Sequence, residues 1–143
     1  MTNRTCWIII YVFIASLLLC FFYVFFGGHI LNDLKAHRIE KDFAGMTLPA
    51  DTELIEVTSF VGNTSGTGNH VEIWAGILIH TNLDEDTVRG HFEGFDVLAV
   101  PDDLKKQPDY IHFQSLNENV AAHGYYVIGK YFDAFTQMDL RGH

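Results

Sequence analysis

Charge is almost missing from the start of this 143-residue chain. Arg4 is the single charged side chain among the first 28 residues. The remaining residues carry 8 Lys and Arg against 18 Asp and Glu and stand at −10, more negative than the whole chain at −9. An uncharged head excludes a wholly soluble cytosolic protein. A single apolar stretch excludes a multi-pass transporter, and the shortage of basic residues excludes a basic nucleic-acid binder. Cysteine is scarce as well. Cys6 and Cys20 lie at or inside the apolar head, and the body has none. The body therefore needs no disulfide and has no thiol nucleophile.

What the head does contain is a long apolar run. Trp7 to Phe26 is 20 residues without a charge. At ~1.5 Å of rise per residue it reaches about 30 Å, the hydrocarbon thickness of a bilayer. It has no polar stripe of the kind a core helix shows. Trp7 and Tyr23 sit near its ends, as an interfacial aromatic belt requires. Residues 1–28 thus read as a membrane anchor. A cleaved secretory signal has an apolar region of about 7–15 residues before a small-x-small site. This run is longer, and Phe25-Phe26-Gly27-Gly28 is a poor site. A lipoprotein box wants a small residue before the cysteine and polar chain after it. Leu19 and Phe21-Phe22 around Cys20 fit neither requirement. Arg4 and the α-amine flank one end; Lys35, Arg38 and Lys41 flank the other. No Lys or Arg occurs in the first eight residues after Phe26. This favours a single-pass signal anchor in the cell membrane, with the amino terminus inside and the acidic body extracytoplasmic.

Residues 29–45 read as a juxtamembrane stalk. Ile30, Leu34, Ile39 and Phe43 give a partial apolar stripe, and a solvated spacer is the expectation. Gly45 and Pro49 punctuate the chain, so residues 46–143 form one compact domain with one core. Glu53 to Val61 reads as a strand with Ile55, Val57 and Val61 on one face. Gly62 to Asn69 is a hairpin loop, and Val71 to Thr81 is a strand apolar on both faces, hence central in a sheet. Asp84 has the character of a helix cap, with Glu85 and Asp86 in the first turn, and Leu83 and Val88 at hydrophobic-staple spacing. Val88, Phe92 and Phe95 supply the apolar stripe of that helix. Gly94 ends it, and a strand follows over Phe95 to Val100. Asp102 to Pro108 is loop-like, Tyr110 to Leu116 reads as a strand, Asn117 to Ala122 as a helical turn, and Tyr125 to Phe135 as the last strand. The order predicts an α+β domain: a single N-terminal transmembrane helix, then a small, mainly antiparallel sheet with one packed helix.

Chemical signatures are few. The Gly62–Gly68 loop has no lysine and leads into a strand, so it is no phosphate cradle. There is no Gly-x-Ser-x-Gly elbow. The eight histidines lack the close spacing of metal motifs, and no metal or cofactor is assigned. The most specific polar cluster is the terminal Asp139-Leu140-Arg141-Gly142-His143. There Arg141 can pair with Asp139, and a frayed tail is the plain alternative. Asp139, Arg141 and His143, with His80 on the polar face of the central strand, are the candidate ligand-binding residues. No catalytic residue is assigned.

Leu48-Pro49-Ala50-Asp51-Thr52-Glu53, the Gly/Asn-rich loop, Ala75-Gly76-Ile77-Leu78-Ile79 and the terminal Asp-Leu-Arg-Gly-His resemble a family of small, uncharacterised bacterial membrane-anchored proteins. The resemblance implies a bacterial envelope location and some weight on Arg141 and His143. It implies no catalytic activity.

The first functional expectation is therefore an anchored interaction or sensing module of the cell envelope, whose partner beyond the membrane is another envelope protein or its own copy. The alternative is a membrane-anchored small-ligand binder or hydrolase using His and carboxylate groups with Arg141 and His143.

Overall fold

The structure is a computed structural model and describes residues 3–64, 66, 68, 70–100, 111–116 and 124–142. Helix α1 (Asn3–Phe22) passes through a π-helical turn (Tyr23–Gly27) into α2 (Gly28–Ala44) without leaving helical geometry. The resulting helix is long and apolar enough at its amino-terminal end to cross a membrane, and its apolar stretch is unburied.

Helix α2 is a layer of the domain, which corrects the reading of residues 29–45 as a solvated spacer. Gly28, Asn32, Ala36, Ile39 and Phe43 are its buried residues. Their spacing of four, four, three and four puts them on one helical face. The amino-terminal half of this stripe is small or polar, so it gives no apolar signal. Ile30 and Leu34, expected on the stripe, are exposed instead, while Ile39 and Phe43 are buried as expected. The helix ends at Gly45, whose amide donates to the Lys41 carbonyl at 3.1 Å.

Four antiparallel strands form the sheet, in the order β1-β2-β4-β3. They are β1 (Thr52–Gly62), β2 (Glu72–Thr81), β3 (Asp96–Val100) and β4 (Tyr125–Asp133). The α+β class is as expected, and β2 is central. Strand β1 pairs β2 from Thr52↔Thr81 to Gly62↔Glu72 with a bulge between Leu54 and Glu56. The bulge moves Ile55 off the face of Val57 and Val61, where plain alternation put it.

Each face of the sheet has its own apolar cluster. On one, Ile73, Ala75, Ile77 and Ile79 of β2 and Ile128 of β4 meet Ile39 and Phe43 of α2 and, from the segment between β2 and β3, Val88 and Phe92. The expected packed helix is α3 (Glu85–His91), and the carboxy-terminal part of the long N-terminal helix, α2, adds its own side chains to the same face. Asp84 caps α3 as expected: its carboxylate accepts from the Thr87 amide at 3.0 Å and the Thr87 hydroxyl at 2.8 Å. These bonds hold its carboxyl below the usual range. The acidic run is thus accounted for by helix initiation.

On the opposite face, Trp74, Leu78, Val100, Phe113 and Val127 pack together. The expected strand over Tyr110 to Leu116 is absent from the described part, residues 111–116. Gln114–Leu116 is a 3-10 turn instead. The cause is Glu56, whose carboxylate accepts from the Gln114 and Ser115 amides at 2.9 and 2.8 Å and diverts them from any ladder. Burial works against that carboxylate, yet these bonds keep it below its ordinary value. The Asp102–Pro108 loop and Asn117–Ala122 turn lie outside the described residues.

Trp74 lies over a glycine pair. Gly76 and Gly129 face each other across β2 and β4, and a Cβ on Gly129 would come within 2.6 Å of the indole. Phe113 closes the slot edge-on at 6.1 Å. Gly129→Ala is therefore expected to cost about 1–3 kcal/mol by overpacking. With Trp7 replaced by Phe, Trp74 is the sole tryptophan, so its emission should shift to the red in that variant.

Candidate functional site

The terminal polar cluster is built where the chain returns to the start of α2. After β4 the segment from Ala134 onward crosses α2, and Asn32 receives it. Asn32 is completely buried and hydrogen-bonds both backbone groups of Thr136: it accepts from the amide and donates to the carbonyl, each at 3.0 Å. Gln137 makes a similar pair with Val71, accepting from its amide at 2.7 Å and donating to its carbonyl at 3.0 Å. Lys35 donates to the Asp133 carbonyl at 2.7 Å, and the Asn63 amide to the Arg141 carbonyl at 3.3 Å. The tail is therefore stitched to α2, to the end of β1 and to the start of β2. It is not frayed.

Asp139 is the centre of this joint. Its carboxylate is fully buried. It accepts from Arg141 Nη2 at 2.7 Å, Arg141 Nε at 3.0 Å, the Arg141 amide at 3.1 Å and Asn32 Nδ2 at 2.9 Å. His29 Nδ1 stands 2.9 Å away. Burial alone would push this carboxyl up. The hydrogen bonds from Arg141 and Asn32 outweigh it and hold the group well below the usual carboxylate range. Arg141 also reaches Asp33 Oδ1 at 2.7 Å and the His29 carbonyl at 3.4 Å. Its guanidinium is thus shared among three residues of this chain, which makes a latch between the tail and α2.

Of the residues singled out from sequence, Asp139 and Arg141 meet as anticipated. His80 is not with them. It pairs with Glu53 and Tyr125 at the far end of the sheet, its ring 4.6 Å from that of Tyr125. Arg141 sits beside Gly62–Asn63, nine residues along β1 from Glu53, or about 30 Å at strand rise. His143 lies outside the described residues. Other imidazoles have local partners: His37 with Glu40 at 3.3 Å, His70 with Glu72 at 3.4 Å, and His91 with the Thr47 carbonyl at 2.9 Å. Among the described residues, no group of three or more His, Cys, Asp or Glu gathers to hold a metal.

Sequence reasoning passed over Asn32, Asp33 and the latch role of His29. A signal was present in principle, since Gly28, Asn32 and Ala36 recur every four residues, as small and polar positions do on a close-packed helix face. Compared with protein-family models, curated proteins and solved structures, this chain matches none of them.

Proposed function

We propose that this protein is a single-pass, membrane-anchored interaction or sensing module of the cell envelope, with its acidic domain extracytoplasmic. The observation that carries this reading is helical continuity. An exposed apolar helix of membrane-spanning length runs directly into α2, and α2 is itself a buried layer of the domain. That continuity with a core helix supports reading the apolar helix as an anchor the chain keeps. The orientation draws on the lack of Lys and Arg in the eight residues after Phe26. The small-ligand binder or hydrolase reading has less support, because Arg141 already donates to Asp139, Asp33 and His29.

Alkaline extraction and thiol labelling test this reading together. The chain should remain in the membrane pellet at high pH. With Cys6 and Cys20 replaced by Ser, a cysteine introduced at exposed Arg89 should react with an impermeant maleimide on intact cells. Release into the supernatant would remove the anchor, and reaction only after lysis would reverse the orientation. Purification from detergent should return a stoichiometric partner or a self-associated species; a lone monomer would defeat the interaction role.

A further inference from the structure

Large apolar side chains are exposed where the domain meets the end of the apolar helix. Phe135 and Met138 are 63% and 59% exposed, although both belong to a segment held firmly to α2. They line one shallow cavity with Tyr23, Val24, Gly28 and Leu31. Tyr23 and Val24 are part of the uncharged run that ends at Phe26. Gly28 is about 3 Å beyond that end and Ile30 about 6 Å beyond it, at helical rise. The interfacial layer outside the hydrocarbon is ~5–8 Å deep on each side. Phe135, Met138 and Ile30 therefore stand at the depth of that layer. Leu140, also exposed, joins them, because the backbone of its neighbour Asp139 lies against Gly28.

We propose that the segment from Phe135 to Leu140, with Ile30, forms an apolar collar that seats the domain in the boundary between lipid headgroups and acyl chains. This rests on the membrane-anchored reading. Two further observations favour lipid over a protein partner. The exposed residues lie on both sides of the helix: Ile30 projects about 200° around the axis from Gly28, whose face the tail occupies. A partner would cover one side, whereas a bilayer surrounds the helix. Several polar groups of the collar are also already paired within the domain. Both backbone groups of Thr136 bond to Asn32, the Met138 amide donates to the Thr136 hydroxyl at 3.1 Å, and Asp139 is buried against Arg141. Pairing of this kind lowers the cost of placing those groups against lipid.

The test is spin-label depth measurement on the full chain in vesicles of phosphatidylcholine and phosphatidylglycerol. Single cysteines replace Phe135, Met138, Ile14 or Arg89 in a background with Cys6→Ser and Cys20→Ser. All four positions are exposed, and a thermal melt confirms that each labelled chain keeps the domain. Labels at 135 and 138 should be several-fold more accessible to oxygen than to a water-soluble nickel complex, relative to the label at 89. Water-like values at 135 and 138 with a lipid-like value at 14 would overturn the collar and leave the anchor standing. Protection from both probes at 135 and 138 would also overturn it, because protein rather than lipid would then cover the patch. A water-like value at 14 would bring down the anchor reading itself.

Discussion

Asp139→Ala is expected to destabilise the domain by about 3 kcal/mol, the low end of the cost of breaking a buried ion pair, because Asp139 is fully buried while Arg141 is a third exposed and keeps Asp33. The substitution strips the Arg141 guanidinium of two hydrogen bonds and leaves the buried Asn32 amide short of an acceptor. Unpartnered polar groups in a buried site keep their desolvation cost, so the loss exceeds that of the bonds themselves. Thermal unfolding of the detergent-solubilised chain, followed by tryptophan emission, reads the effect. Acid supplies a second reading. The Asp139 carboxyl is held below its ordinary range when folded. Its contribution is therefore complete above about pH 4, the unfolded range, and is lost as pH falls from there toward the folded value. Asp139→Asn keeps the shape and removes this titration. Its stability should fall less steeply below pH 4 than that of the parent. An unchanged acid profile would show that the latch contributes nothing there.

Gly28→Ala is the second large effect, and its sign is informative. In an open helix this change stabilises by up to about 1 kcal/mol. Here the added Cβ would lie 1.6 Å from the Met138 carbonyl oxygen and 2.7 Å from its carbon. Both are backbone atoms, so no rotamer relieves the overlap, and the tail must move off α2. A loss of about 3 kcal/mol is expected, at the upper end of overpacking costs. Hydrogen exchange at the Thr136 amide, which donates to Asn32, should quicken as the tail loosens. A neutral or stabilised variant would mean that the tail does not rest on Gly28.

Much of the domain was legible in its sequence because its elements obey simple periods. Ile73, Ala75, Ile77 and Ile79 alternate with Trp74 and Leu78, and β2 is buried on both faces as that pattern requires. Asp84 caps α3 with its first turn acidic, as read. Harder features were those set by side chains reaching across the fold. Glu56 draws residues 114 and 115 out of strand geometry from a position 58 residues earlier. The bulge at Ile55 breaks an alternation that no local residue announces. The amino-terminal half of the α2 face was missed because it consists of glycine, asparagine and alanine, whose value lies in closeness rather than apolarity. The site was half visible. Asp139 and Arg141 pair as neighbours in the chain, but Asn32 and His29, over a hundred residues away, are known only once the tail has docked.

The unbroken passage from α1 to α2 ties the domain's heading to the phase of the helix. Each residue turns an α-helix by about 100° and lifts it ~1.5 Å. No swivel intervenes between Asn3 and Ala44, and the wider π-helical turn at Tyr23–Gly27 already sets that phase differently from an all-α path. Adding one residue there would swing the acidic domain about a quarter-turn around the apolar helix while moving it only ~1.5 Å along the axis. Which side of the domain greets a neighbour is thus written in the length of the helix, and any twist of the apolar helix becomes a yaw of the domain at its end.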